Sequence, residues 1–217
     1  MKRISIEKNY YYGIIKAEIL MCKIMYLNLE YNLALEKLLL IQNELLQKNE
    51  QELSIEITKE LGDYYVFIKD FSKALNYYKL ALKLLVKYPK KNIEWRIYNN
   101  IAVIYTEIKG YNSAIDYYFK ALEIQNEFNE SVNILLYLNI GETFKKNGEY
   151  EVAINYLEFI KDIISCDDNK CNFYENVINL HLADIYFQMD KIDKASVLFD
   201  GRIGQLLTTE VASLKKL

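Results

Sequence analysis

Tyr98–Asn126 reads YNNIAVIYTEIKGYNSAIDYYFKALEIQN, and its skeleton of small and aromatic residues returns about every forty positions along the 217-residue chain. That recurrence decides the architecture. A self-similar unit of two helices cannot bury its apolar face alone and has to stack on its neighbours. Superposing the units puts Ala34, Ala74, Ala114, Ala153 and Ala195 at one position, separated by 40, 40, 39 and 42 residues, which gives five repeats. Twelve residues before each alanine stands a small residue: Cys22, Gly62, Ala102, Gly141 and Ala183. Nine before it stands a large one: Met25, Tyr65, Tyr105, Phe144 and Tyr186. Four after it comes another bulky residue: Leu38, Tyr78, Tyr118, Leu157 and Phe199. Antiparallel helices approach closely only where one presents a small side chain and the other fills the hollow.

This pattern resembles the tetratricopeptide repeat, W-x2-LG-x2-Y followed by A-x3-F and a further Ala. The resemblance covers about residues 15–209 and is strongest in repeats two to four, where Leu61-Gly62, Ile101-Ala102 and Ile140-Gly141 keep the hydrophobic-small pair. Repeats one and five are degenerate, as the water-facing ends of a solenoid must be. The resemblance implies an all-α, right-handed superhelical solenoid of about five antiparallel helix pairs, one domain over residues 1–209. The period, nearer 40 than the usual ~34, implies longer helices or connections. The single proline, Pro89, falls between repeats two and three, where it can stop a helix without breaking one. After Gly201, Arg202 and Gly204 the tail LLTTEVASLKKL reads as a short amphipathic helix; residues 205–217 are expected to cap the stack, to pair with another copy in a homodimer, or to begin a segment of a longer chain.

Composition bounds the function. With 52% hydrophobic and 26% charged residues, seven Gly and one Pro, the chain is that of a folded helical protein. A net charge of -3 with scattered Lys and Arg argues against nucleic acid or an anionic membrane as partner. The start, MKRISIEKN, has the charges of a signal peptide without its apolar core, and Leu33–Ile41 is broken by Glu36 and Lys37, so a cytoplasmic location is expected. The three cysteines are too few for a disulfide framework. Cys22 reads as core; Cys166 and Cys171 lack a nearby fourth ligand or His, and no metal is assigned to them. No phosphate loop, nucleophile elbow or metalloprotease helix appears. Neither an enzymatic activity nor a cofactor is therefore expected.

In the repeat class that this chain resembles, the first helix of each pair lines a concave side. With Gly62, Ala102 and Gly141 as reference, that face carries Lys16, Ile19, Leu20, Lys23, Tyr26 and Leu27 in repeat one, and Glu56, Lys59, Glu60, Asp63, Val66 and Phe67 in repeat two. Repeat three adds Arg96, Asn99, Asn100, Val103, Thr106 and Glu107; repeat four Leu135, Leu138, Asn139, Glu142, Lys145 and Lys146; repeat five Val177, Leu180, His181, Asp184, Phe187 and Gln188. Asn100 and Asn139 hold the same position in adjacent repeats, and each amide offers a donor and an acceptor to an extended peptide backbone. The expected peptide-binding set is Lys59, Asp63, Arg96, Asn99, Asn100, Val103, Asn139, Glu142, Lys146 and His181.

Chaperone-tail clamps of this class need Lys and Asn, then Asn, then Lys and Arg. Lys59 and Asn100 fit, but Asp63, Leu138 and Glu142 do not. Glu56, Glu60 and Asp63 suggest instead a ligand with a basic group at that end. His181, the only histidine, is read as a hydrogen-bonded groove residue. The Lys-, Ile-, Asn- and Tyr-rich repeats of about forty residues also resemble the sensory domain of Rap- and PlcR-type peptide-pheromone regulators. That resemblance implies a regulator holding a short peptide. Because the first repeat starts within about fifteen residues of Met1, no DNA-binding domain is expected before it. The alternative is an adaptor that docks a folded partner or another copy of itself.

Overall fold

The computed structural model describes residues 2–128, 132–164 and 169–198, and among these it holds ten α-helices and no strand. They are α1 (Lys2–Leu27), α2 (Tyr31–Gln47), α3 (Gln51–Phe67), α4 (Phe71–Lys87), α5 (Lys91–Glu107), α6 (Tyr111–Phe128), α7 (Ile134–Lys146), α8 (Tyr150–Ile163), α9 (Asn169–Gln188) and α10 (Ile192–Leu198). The chain is all-α and built of antiparallel helix pairs. It forms two compact units, Met1–Ile104 and Tyr105–Leu217. Phe199, Cys166 and the whole tail, with Gly201, Arg202, Gly204 and the expected 205–217 helix, lie outside the described residues, as does the side chain of Cys171.

The long period resides in the helices. α2 to α5 are each 17 residues, nearly two turns more per pair than the usual repeat allows. α1 is longer still, starting at Lys2 and not near residue 15. Tyr11 and Tyr12 use this extra length: their hydroxyls donate to Glu44 on α2 (3.1 Å) and Glu56 on α3 (3.2 Å).

One turn shape closes each pair. Leu29, Lys69, Lys109, Gly148 and Asp190, at equivalent places in the five repeats, all have φ between 58° and 82°. At each, the next amide reaches back five residues, as from Asp70 to Tyr65 O (2.9 Å) and from Glu149 to Phe144 O (2.9 Å). This is the Schellman closure, which satisfies the last helical carbonyls by placing one residue in the left-handed region. Asn49 (φ 56°) gives the α2–α3 turn the same form. Between α4 and α5 the device changes. Pro89 forces Tyr88 out of helical ψ (77°), and α4 ends at Lys87.

The five alanines form the centre of the core: Ala34, Ala74, Ala114 and Ala153 are fully buried and Ala195 nearly so. Gly62 and Gly141 sit where a larger residue would collide. A Cβ on Gly62 would lie 2.4 Å from Tyr78 Cε1, and one on Gly141 3.1 Å from Leu157. In repeats two to four the large residue of the first helix also has an equivalent partner. Tyr65 stacks on Tyr77, Tyr105 on Tyr117 and Phe144 on Tyr156, with centroids 5.4–5.5 Å apart and rings within 12° of parallel. Such offset pairs add about 0.5–1.5 kcal/mol each beyond area burial.

Candidate functional site

In the first unit, Lys16, Ile19, Leu20 and Lys23 of α1, Glu56, Lys59 and Glu60 of α3, and Asn92, Ile93 and Arg96 of α5 line one cavity of about 310 Å³. All but Asn92 and Ile93 belong to the face expected from repeat alignment. The helical period turns these positions to one side while Leu53, Ile57 and Leu61 of α3 go to the core.

The floor of this cavity is an ordered polar network. Glu60, 4% exposed, lies 3.0 Å from Lys23 Nζ and 3.8 Å from Lys59 Nζ and accepts from the Tyr26 hydroxyl at 3.3 Å. Burial pushes its carboxyl pKa up, Asp63 adds to the rise, and Lys59 and Lys23 pull against it. Burial works to discharge Lys59, but Asp63, its direct partner, and Glu60 together hold its pKa above the ordinary value. Asp63 Oδ1 accepts from the Tyr78 hydroxyl (2.7 Å) and from Asn100 Nδ2 (2.8 Å); Asn100 also lies 3.2 Å from the Tyr78 oxygen and accepts from Asn99 (3.0 Å). Asn100 is therefore a member of an internal network, and a peptide meeting it would have to exchange those bonds.

The carboxylates of α3 are likewise partnered. Glu56 stands 3.7 Å from Lys16 and 3.8 Å from Lys90, and Glu60 and Asp63 are held by lysines as above. An uncompensated acidic patch, which the sequence suggested, is not what the fold makes. Arg96 differs: it is exposed, its guanidinium lies 5.4 Å from the Trp95 ring, and among the described residues it makes no ion pair.

The second unit has its own charged cluster. Glu142 Oε2 lies 2.7 Å from Lys145 Nζ and 3.1 Å from His181 Nδ1, while Lys145 also reaches Asp184 (2.7 Å) and Lys146 reaches Glu107 (3.2 Å). Burial would raise the Glu142 pKa, but the bonds from His181 and Lys145 outweigh it and hold the carboxyl at about 2. Lys145 is held up by the two acids against the opposing effect of burial. On the same helices, α7 and α9, Leu135, Leu180 and Phe187 leave their apolar side chains exposed. The buried Thr106 and Thr143 hydroxyls pair at 2.9 Å, and Thr143 donates to Asn139 O (2.8 Å). Among the described residues no three His, Cys, Asp or Glu converge as a metal site, and no helix is long and apolar enough to cross a membrane.

Residues 96–128 and 134–158 match the tetratricopeptide repeat family. Over those residues the chain carries tetratricopeptide repeats. No curated protein sequence matches it. Among solved structures it is similar to a protein described as a kinesin light chain with nearly identical repeats from Podosopora anserina (14% identity, 89% of this chain and 96% of that one, TM-score 0.71). It is also similar to the apo form of RapI (19%, 92% and 72%, TM-score 0.70). A third is NprR, a quorum sensor from B. thuringiensis, in complex with its cognate peptide NprX (18%, 91% and 59%, TM-score 0.64). At these identities the likeness is one of fold.

The repeats distribute the expected site residues between the units. Lys59, Asp63, Arg96, Asn99, Asn100 and Val103 belong to the first; Asn139, Glu142, Lys146 and His181 belong to the second. Lys59, Asp63, Asn99 and Asn100 meet in one network, Lys59 and Arg96 share one cavity, and Glu142 joins His181. Tyr26, Tyr78, Asn92, Ile93 and Lys145 were not in the expected set. Tyr78 is the one that the sequence signals, because a buried tyrosine needs a partner for its hydroxyl.

Proposed function

We propose that the chain is a peptide-binding regulator that holds an extended segment of another polypeptide on the first-helix faces of its tetratricopeptide repeats. The observation that carries this reading is the first-unit cavity, whose lining is drawn from those faces on three successive first helices. Its floor is rigidly wired, so the lysines and carboxylates beneath are already compensated, and the group left to recognise a ligand is the Arg96 guanidinium. An acidic side chain or terminal carboxylate seats there, because a planar guanidinium offers paired donors that match a carboxylate. Asn99, Asn100 and Val103 flank that position. The second unit carries a first-helix face of its own, with Asn139, Glu142, Lys146 and His181 as its polar groups and Leu135, Leu180 and Phe187 as its exposed apolar ones. RapI and NprR, the latter solved with its peptide, support the reading through their shared fold.

The test is a titration with short synthetic peptides in matched acidic and basic series. Trp95, the single tryptophan, adjoins Arg96 and reports occupancy through its fluorescence. Acidic peptides are expected to bind, and Arg96→Glu is expected to weaken them at least about tenfold, the loss of one charge-assisted pair. If no peptide binds and only a folded protein does, with Arg96→Glu without effect, the adaptor reading replaces this one.

A further inference from the structure

α1 carries two apolar seams. Ile15, Ile19, Cys22 and Tyr26 recur at spacings of four, three and four and are buried against the rest of the first unit. Tyr10, Ile14, Ala17, Met21 and Ile24 recur at four, three, four and three, and all are exposed, Tyr10 at 73% and Met21 at 52%. At 100° per residue the two sets lie on roughly opposite sides of the helix. A helix with one apolar stripe packs once; a second stripe at the 3.5-residue repeat is the seam of a second helix-helix contact. The hollow beside it is ready-made: about 520 Å³ between α1 and α2, with Met21 and Leu40 among its walls.

We propose that this seam pairs antiparallel with α1 of a second copy about a two-fold axis beside Ala17. The order of residue sizes is self-complementary. With Ala17 facing its own mate, Tyr10 meets Ile24 and Ile14 meets Met21 of the second copy, each twice, as an isologous contact requires. Charge agrees with this occupant. Glu18 and Lys37 flank the hollow, and neither makes an ion pair among the described residues. The two-fold operation carries Glu18 of each copy toward Lys37 of the other.

Sedimentation velocity over about 1–100 µM, with helical content checked by circular dichroism, tests the pairing. The parent chain is expected to sediment as a dimer, and Ile14→Glu and Met21→Glu as helical monomers. Glu18→Lys or Lys37→Glu alone should raise the dimer dissociation constant at least about tenfold, and the two together should restore it, a readout that holds even if the apolar variants lose helix. Val86→Glu, at an 85% exposed site on α4, should change nothing. A parent that is monomeric throughout, or a dimer indifferent to all the α1 substitutions while they remain helical, overturns the proposal. Peptide binding by the Arg96 face can fail without touching this result, and the reverse also holds.

Discussion

Replacing Gly62 by alanine should destabilise the first unit, although alanine is the better helix former. A Cβ there would stand 2.4, 2.6 and 3.0 Å from Tyr78 Cε1, Cδ1 and Cζ, where carbons rest at about 3.5–4.0 Å. The ring must retreat by about 1 Å, and it is rigid and fully buried. Its hydroxyl donates to Asp63 at 2.7 Å and lies 3.2 Å from Asn100 Nδ2, so the retreat also strains that network. Overpacking costs about 1–3 kcal/mol and loss of a hydrogen bond to a charged acceptor about 1.5–3, against a propensity gain of about 0.5–1. The net is roughly 1.5–5.5 kcal/mol, a large share of a typical domain's stability. Urea unfolding followed by circular dichroism reads the difference. Gly13→Ala is the control: that glycine is mid-helix with nothing within 4 Å of its would-be Cβ, so it should gain about 0.5–1 kcal/mol. Adding Tyr78→Leu should recover part of the loss, since Leu157 fills the same role opposite Gly141. If Gly62→Ala alone is as stable as the parent, the close approach of Gly62 and Tyr78 is wrong.

Other outcomes follow from the same geometry. Lys69→Gly and Leu29→Gly, at left-handed turn residues with φ 62° and 69°, should each raise stability by about 0.5–1 kcal/mol in the same urea assay. Glu142, lowered from 4.5 to about 2, contributes stability that is present above the unfolded value and lost as pH falls from about 4.5 through 2; thermal melts across that range should show a smaller loss in Glu142→Gln than in the parent. Ala114→Leu, at a fully buried repeat position, should cost about 1–3 kcal/mol.

Much of the fold is legible because one physical demand repeats. The alanine, small and bulky positions had to recur wherever helices touch, and Ala34 to Ala195 are buried as the spacing requires. The turns were not legible, since Leu29, Lys69 and Lys109 have no preference for positive φ; the closure of the helix end imposes it. Nor could the stacked rings at Tyr77, Tyr117 and Tyr156 be separated from a tyrosine-rich background.

For the candidate site, the helical period is enough to put Lys16, Lys59 and Arg96 on matching sides of their helices, and all three line the first-unit cavity. Its electrostatics were hidden, because Lys23–Glu60, Asp63–Asn100 and Lys145–Asp184 join residues 37 to 39 positions apart. Counting charges along α3 gave an acidic surface; pairing them across helices removes it and leaves Arg96.

The most direct measurement of the central claim is site-specific photocrosslinking of a bound acidic peptide. A benzophenone amino acid at position 20, where Leu20 lines the first-helix cavity, should capture the peptide, and the same group at position 86, where Val86 is exposed on α4, should not. Capture at position 86 with none at position 20 would contradict the account.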